Sequence, residues 1–172
     1  MRSRDVILKF TAMPTGDVML RLLLAAGLGA AIGVEREFRQ KPAGLRTNIL
    51  IALGSALLTM ASLEIGRSGA TPDRIAAQIV TGIGFLGGGA ILRSGTTVHG
   101  MTTAATIWVN AAIGLAAGAG LFAMATMTAA ITLAVLALLP PVERYFEQRA
   151  GLDASQHGAA SSRQPPSLGT SD

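Results

Sequence analysis

From residue 94 to residue 142 the chain carries no Asp, Glu, Lys or Arg. A helix needs about 20 apolar residues to cross roughly 30 Å of hydrocarbon, so this run predicts two membrane helices, with their turn at the glycine-rich stretch 114–120. Three further apolar runs, at 18–34, 47–65 and 75–92, read the same way. The first is short and interrupted by Arg21. The pattern therefore predicts an all-α fold, a polytopic membrane bundle of about five helices. Boundary residues agree with it. Thr71-Pro72-Asp73 offers a capping hydroxyl, a proline at the first helical position and an acid in the first turn. Pro140-Pro141 should stop the last span, because proline lacks a donor and clashes with the preceding turn. Residues 143–149 read as a short interfacial helix and 151–172, rich in Ser, Gly, Ala and Pro, as unstructured. The division expected is an N-terminal segment 1–17, a transmembrane domain 18–140 and a tail 141–172.

Composition supports the same class. Of 172 residues 50% are hydrophobic and 14% charged, against about 25% charged in a soluble domain. Cysteine is absent, which excludes disulfides and cysteine-ligated metals. The net charge of +4 is spread over the ends of the apolar runs and forms no basic face with stacking aromatics, so nucleic acid is not an expected partner. Arg21 and the direct run into Glu35-Arg36-Glu37 argue against a cleaved signal peptide at the start. Eight of the 14 Lys and Arg residues fall on the side of the 35–46 loop, Arg93 and the C-terminal segment. That bias places this side and the C-terminus in the cytoplasm and the N-terminus outside.

Several motifs invite chemistry. Residues 82–87 match GxGxxG, but the dinucleotide fingerprint needs a strand before it and an acid some 20 residues on; no acid follows until Glu143. Gly29 with Gly33, Gly84 with Gly88, and Gly114 with Gly118 form three GxxxG pairs, whose flat strips let helix backbones approach closely. The triplet Gly87-Gly88-Gly89 suggests either tight packing or an unwound turn of the transporter kind. His99, Thr103, Thr106 and Asn110 fall on one helical face, with Gln78 and Thr81 of the preceding span expected to face it. Two readings of that stripe stand: interhelical hydrogen bonding, or a polar track for a small ion. Gly29, Gly33 and Glu37 share a face, and Glu35-Arg36-Glu37-Phe38-Arg39 reads as an ion-paired loop. Glu64 with Arg67, and Asp17 with Arg21, have pairing spacings. No nucleophile has a base beside it, so no enzyme is expected.

Four ordered blocks resemble the MgtC/SapB family of membrane proteins: Gly33-x-Glu35-Arg36-Glu37, Ala43-Gly44-Leu45-Arg46-Thr47-Asn48, the stretch RIAAQIVTGIGFLG at 74–87, and Thr103-Ala104-Ala105-Thr106-Ile107-Trp108. The resemblance covers residues 27–120, and fades by about 140. It implies a bacterial inner-membrane protein of four or five spans, linked to growth under magnesium limitation and, in pathogens, to survival inside host cells. The family positions matched are Glu35, Arg36, Gly44, Arg46, Gln78, Gly82, Gly84, Gly87, Thr103 and Thr106. Longer members carry a soluble domain after the last span, so the resemblance implies a short form here. Some members have Asn where this chain has Thr102, and a role of that asparagine does not transfer. The function expected is regulation of another membrane complex in magnesium homeostasis, with ion transport along the polar face of the fourth helix as the alternative. The expected partners are the lipid bilayer and a membrane protein or a second copy, with Gly84 and Gly88 as docking candidates. No cofactor is expected; Mg²⁺, as ligand or cargo, favours hard oxygen donors, which makes Glu35 and Glu37 the candidate first ligands.

Overall fold

Helix α1 (Thr15–Phe38) starts behind Pro14, whose φ of −53° and ψ of 135° turn the chain into the first turn, where Asp17 meets the positive end of the helix dipole. The computed structural model describes residues 13–66, 73–94 and 97–161. At the other end of α1, Gln40 N–H donates to the Glu37 carbonyl and Lys41 N–H to the Arg36 carbonyl. This is a Schellman closure, and it requires a left-handed residue at Gln40 (φ 51°).

Four more helices follow: α2 (Leu45–Gly66), α3 (Asp73–Gly89), α4 (Met101–Gly118) and α5 (Phe122–Ser161). α4 ends with the same closure as α1, Leu121 N–H reaching the Ala116 carbonyl, but here glycine occupies the left-handed position, Gly120 at φ 81°. Between α3 and α4 the chain forms a small antiparallel hairpin, β1 (Leu92–Ser94) and β2 (Thr97–His99), in which Leu92 pairs with His99.

The hairpin corrects two expectations. The third apolar run does not stay helical to residue 92, because the last turn tightens after the glycine triplet, with Ile91 N–H donating to Gly88. His99 is not on the polar face of α4, because it pairs in β2 and Gly100 intervenes at φ 89°. Only glycine fits there, since a Cβ would collide with the Ala90 carbonyl. A third correction concerns Pro140 and Pro141, which lie inside α5. Proline's fixed φ is itself a helical value, so losing two donors leaves the helix unbroken here. The helix runs on through residues 151–161, part of the segment expected to be unstructured; residues 162–172 lie outside the described residues, as do Thr71 and Pro72.

Residues up to Leu133 form one compact unit and those from Ala134 another. In the first unit α2 is central. Asn48, Ala52 and Ala56 of α2 meet Asn110, Gly114 and Gly118 of α4, four residues apart on both helices, so the two run parallel. On its other side α2 receives Gly29 and Gly33 of α1, running antiparallel. A Cβ on Gly29 would stand 2.8 Å from the Asn48 carbonyl oxygen, one on Gly33 would stand 2.7 Å from Leu45 Cα, and Cβ atoms on Gly114 and Gly118 would strike the Ala52 and Ala56 backbone. Small residues thus replace bulky ones at the crossings, which is how helices pack when water gives them no reason to associate. α3 packs antiparallel to α4 through Ile83, Ile107 and Ala111 and through Gly87, whose Cβ would lie 3.5 Å from the Ala104 carbonyl.

Among the described residues four helical segments are long and apolar enough to cross a membrane: Thr15–Phe38, Leu45–Gly66, Met101–Gly118 and Phe122–Val142. α3 has 17 residues, about 25 Å of helix, and lies along the bundle with α2 and α4.

Candidate functional site

Arg36, Glu37, Asn48 and Thr103 come together at the end where α1 finishes and α2 and α4 begin. Arg36 is buried, 3% exposed, and its Nη2 donates to Thr103 Oγ1 at 2.8 Å. This bond fastens the last turn of α1 to the first turn of α4. One residue on, Glu37 Oε2 accepts the Leu45 N–H at 3.1 Å. A carboxylate there satisfies one of the orphan donors at the start of α2 and meets the positive end of its dipole. Gly44 passes so close that a Cβ would collide with that carboxylate. Glu35 instead forms an ion pair with Arg39 one turn on; the pairing was expected in a loop, but residues 35–38 are the last turn of α1, whose i, i+4 spacing makes the pair.

Glu35 and Glu37, two residues apart and about 200° around the helix, are therefore engaged on different sides. Among the described residues no three His, Cys, Asp or Glu side chains are grouped to hold a metal. Glu37 remains beside Gly44, Leu45, Arg46 and Thr47 around an open pocket of about 540 Å³ with mixed polar and apolar walls.

Below this end lies a buried amide pair. Asn48 Nδ2 donates back to the Ala43 and Gly44 carbonyls at 2.6 and 2.9 Å, closing the loop before α2. Asn110 Nδ2 donates to the Asn48 backbone carbonyl at 2.7 Å and to Asn48 Oδ1 at 3.1 Å. Thr106 turns inward to its own helix, donating to the Thr102 carbonyl. The stripe Thr103, Thr106, Asn110 is buried as its spacing suggested; its two hydroxyls and Asn110 Nδ2 are committed to hydrogen bonds that join helices or close a turn, while Asn110 Oδ1 is buried without a partner among the described residues.

Gln78 and Thr81 do not face that stripe. Thr81 is exposed and its hydroxyl lies near the Ala77 carbonyl, while Gln78 lines an apolar cavity of about 930 Å³ between α2 and α3, together with Gly82, Leu86 and Gly89. Gly84 and Gly88 lie on another face of α3, and a Cβ added at either position would have no atom within 4 Å. At the far end of the bundle Arg21 pairs with Asp17 at 3.6 Å and donates to the Gly118 carbonyl at 2.7 Å, capping the C-terminus of α4. That long-range cap had no signal in the sequence beyond the pairing spacing. The expected partner of Glu64, Arg67, lies outside the described residues.

Helices packed through glycine, with a buried guanidinium and buried amides paired between them, define a multi-pass α-helical membrane protein. The chain belongs to the MgtC family, whose profile matches residues 22–145. It is similar to the protein MgtC of Salmonella typhimurium, 54% identical over 90 residues that make up 52% of this chain and 38% of that protein. An uncharacterized protein of Synechocystis is 51% identical over 96 residues, 56% of this chain and 41% of its own length. YhiD of Escherichia coli K12 is 48% identical over 101 residues, 55% of this chain and 47% of its own length. The chain thus spans less than half the length of these curated relatives. No solved structure gives a significant match.

Proposed function

We propose that this is a bacterial inner-membrane protein of magnesium homeostasis, or of adaptation to magnesium limitation, that acts by regulating another membrane complex. The magnesium assignment is supported by the family resemblance and by the Escherichia coli relative, which is named as a candidate magnesium transporter. One observation carries the mode of action: two of the three glycine pairs are consumed by packing inside the chain, and the third is open. Gly84 and Gly88 share the outer face of α3 with the exposed Ala77 and Thr81, a small-residue surface that a second membrane helix can approach closely. The basic end holding Arg36, Arg39, Lys41 and Arg46 is assigned to the cytoplasm.

Transport is the reading that the relative's name favours, and the hydrogen-bonded state of Thr103, Thr106 and Asn110 weighs against it. A cation crossing along that face would have to break the bonds that hold α4 to α1 and α2. Leucine at Gly84 or Gly88 should abolish a co-purifying membrane complex while the chain still inserts, and should impair growth at low magnesium. If neither changes, the regulatory reading fails. Mg²⁺ flux by the purified chain in liposomes, lost in Asn110→Leu, would establish transport in its place.

A further inference from the structure

The apolar cavity between α2 and α3 has no part in the proposed docking face, since Gly82 on its wall and Gly84 on that face are about 200° apart around α3. It has three properties that together specify an occupant. It is a groove with almost wholly apolar walls, interrupted by Thr47, Ser55 and Gln78. Both walls carry bare glycines, Gly54 on α2 and Gly82 and Gly89 on α3, with no atom within 4 Å of where a Cβ would stand, so the floor is open to something slender. Along α2 it extends from Thr47 to Leu58, about 16 Å at the helical rise. Half of a hydrocarbon layer is roughly 15 Å thick, so the groove is as deep as one leaflet. A crossing protein helix would need twice that depth.

Thr47 also lines the pocket at the head of α2, where Glu37 and Arg46 stand. The apolar groove and this pocket, which holds one acid and one base, therefore share Thr47 as a common wall. The exposed Arg46 guanidinium suits a phosphate. The Glu37 carboxylate, which uses Oε2 for the Leu45 N–H, keeps acceptor capacity suited to an ammonium. A glycerol headgroup would offer Glu37 only neutral hydroxyls and leave the phosphate charge uncompensated within the lipid, and a quaternary choline has no N–H to donate to it.

We infer that the α2/α3 groove binds one phosphatidylethanolamine, an acyl chain lying between Gly54 and Gly82, its phosphate at Arg46 and its ammonium at Glu37. The lipid belongs to the leaflet on the side of the 35–46 loop. This site is independent of the docking face, and its failure would leave that reading untouched.

The test equilibrates the purified full chain with equal amounts of phosphatidylethanolamine, phosphatidylglycerol and phosphatidylcholine of identical acyl chains, and reads retained lipid by native mass spectrometry. One phosphatidylethanolamine should be retained, about tenfold above either competitor, a ratio that one charge-assisted hydrogen bond supplies. Arg46→Gln should weaken retention of it. Glu37→Gln, whose amide oxygen still accepts the Leu45 N–H, should erase the preference over phosphatidylglycerol. Gly54→Leu should exclude all three lipids, whereas Gly27→Leu, on an open face of α1, should exclude none. Melting temperatures control for folding. Should Gly54→Leu not fold, a phosphatidylethanolamine with a photoreactive group in mid-chain must label the wild-type chain within residues 47–58 or 78–90. Equal retention of the three lipids, a preference for phosphatidylglycerol, labelling elsewhere, or a protein retained in the groove instead of lipid would each overturn the inference.

Discussion

Asn48 and Asn110 are 62 positions apart, yet Asn110 donates to both the backbone and side-chain oxygens of Asn48. An amide surrounded by hydrocarbon has no water to fall back on, so it must find a protein partner. The stripe on α4 made it legible that Asn110 faces inward, and the loop motif singled out Asn48. Nothing in the local pattern joined the two, because the partner of an inward polar group is chosen by helix docking. The same holds for Arg36, which reads as a member of a charged loop and turns out to be buried against Thr103. Asn110→Ala should lower the unfolding free energy by about 1 to 2 kcal/mol, with a coupling to Asn48→Ala of about 1 kcal/mol in a double-mutant cycle. Unfolding in mixed micelles measures both, and strictly additive effects would contradict the pairing. Conformation is also partly hidden at this scale. Gly120 announces the left-handed end of α4, whereas Gln40 performs the same role for α1 without the glycine that would signal it.

At the scale of elements, the three GxxxG pairs look alike in sequence and differ in the fold. Gly114 and Gly118 sit against the α2 backbone at Ala52 and Ala56, and Gly29 and Gly33 sit against its opposite side, while Gly84 and Gly88 face open space. Ala52 is touched from both sides, which is why α2 is the axis of the bundle. Gly114→Ala should therefore destabilise the chain by at least about 2 kcal/mol, because a methyl placed against backbone cannot be accommodated by moving a side chain. Gly84→Ala should leave stability unchanged or raise it by up to about 1 kcal/mol, since alanine is the better helix former. Thermal unfolding of the two variants separates these outcomes. Apolar run length located the helices but not the hairpin at residues 92–99. A short strand pair between apolar helices has no periodicity of its own, and the glycine triplet before it can pack or turn equally well.

For the molecule as a whole, Arg36, Glu37, Asn48 and Thr103 tie the ends of three helices together on one side, and Arg21 ties α1 to the end of α4 on the other. These ties fix α1 antiparallel to α2 and α2 parallel to α4, so the 35–46 loop and the 119–121 turn lie at opposite ends. Reporter fusions at residue 42 should read as cytoplasmic and at residue 120 as extracytoplasmic; the same side for both would break this topology. The chain itself determined the membrane environment, the approximate helices and the family. These follow from the length of apolar runs, the absence of charge over residues 94–142 and the order of four short blocks, all properties that read in one dimension. Tertiary structure alone decided which glycines are buried, which polar residues pair and where a groove stays open. Those depend on which helices become neighbours, and small residues permit close approach without saying to what.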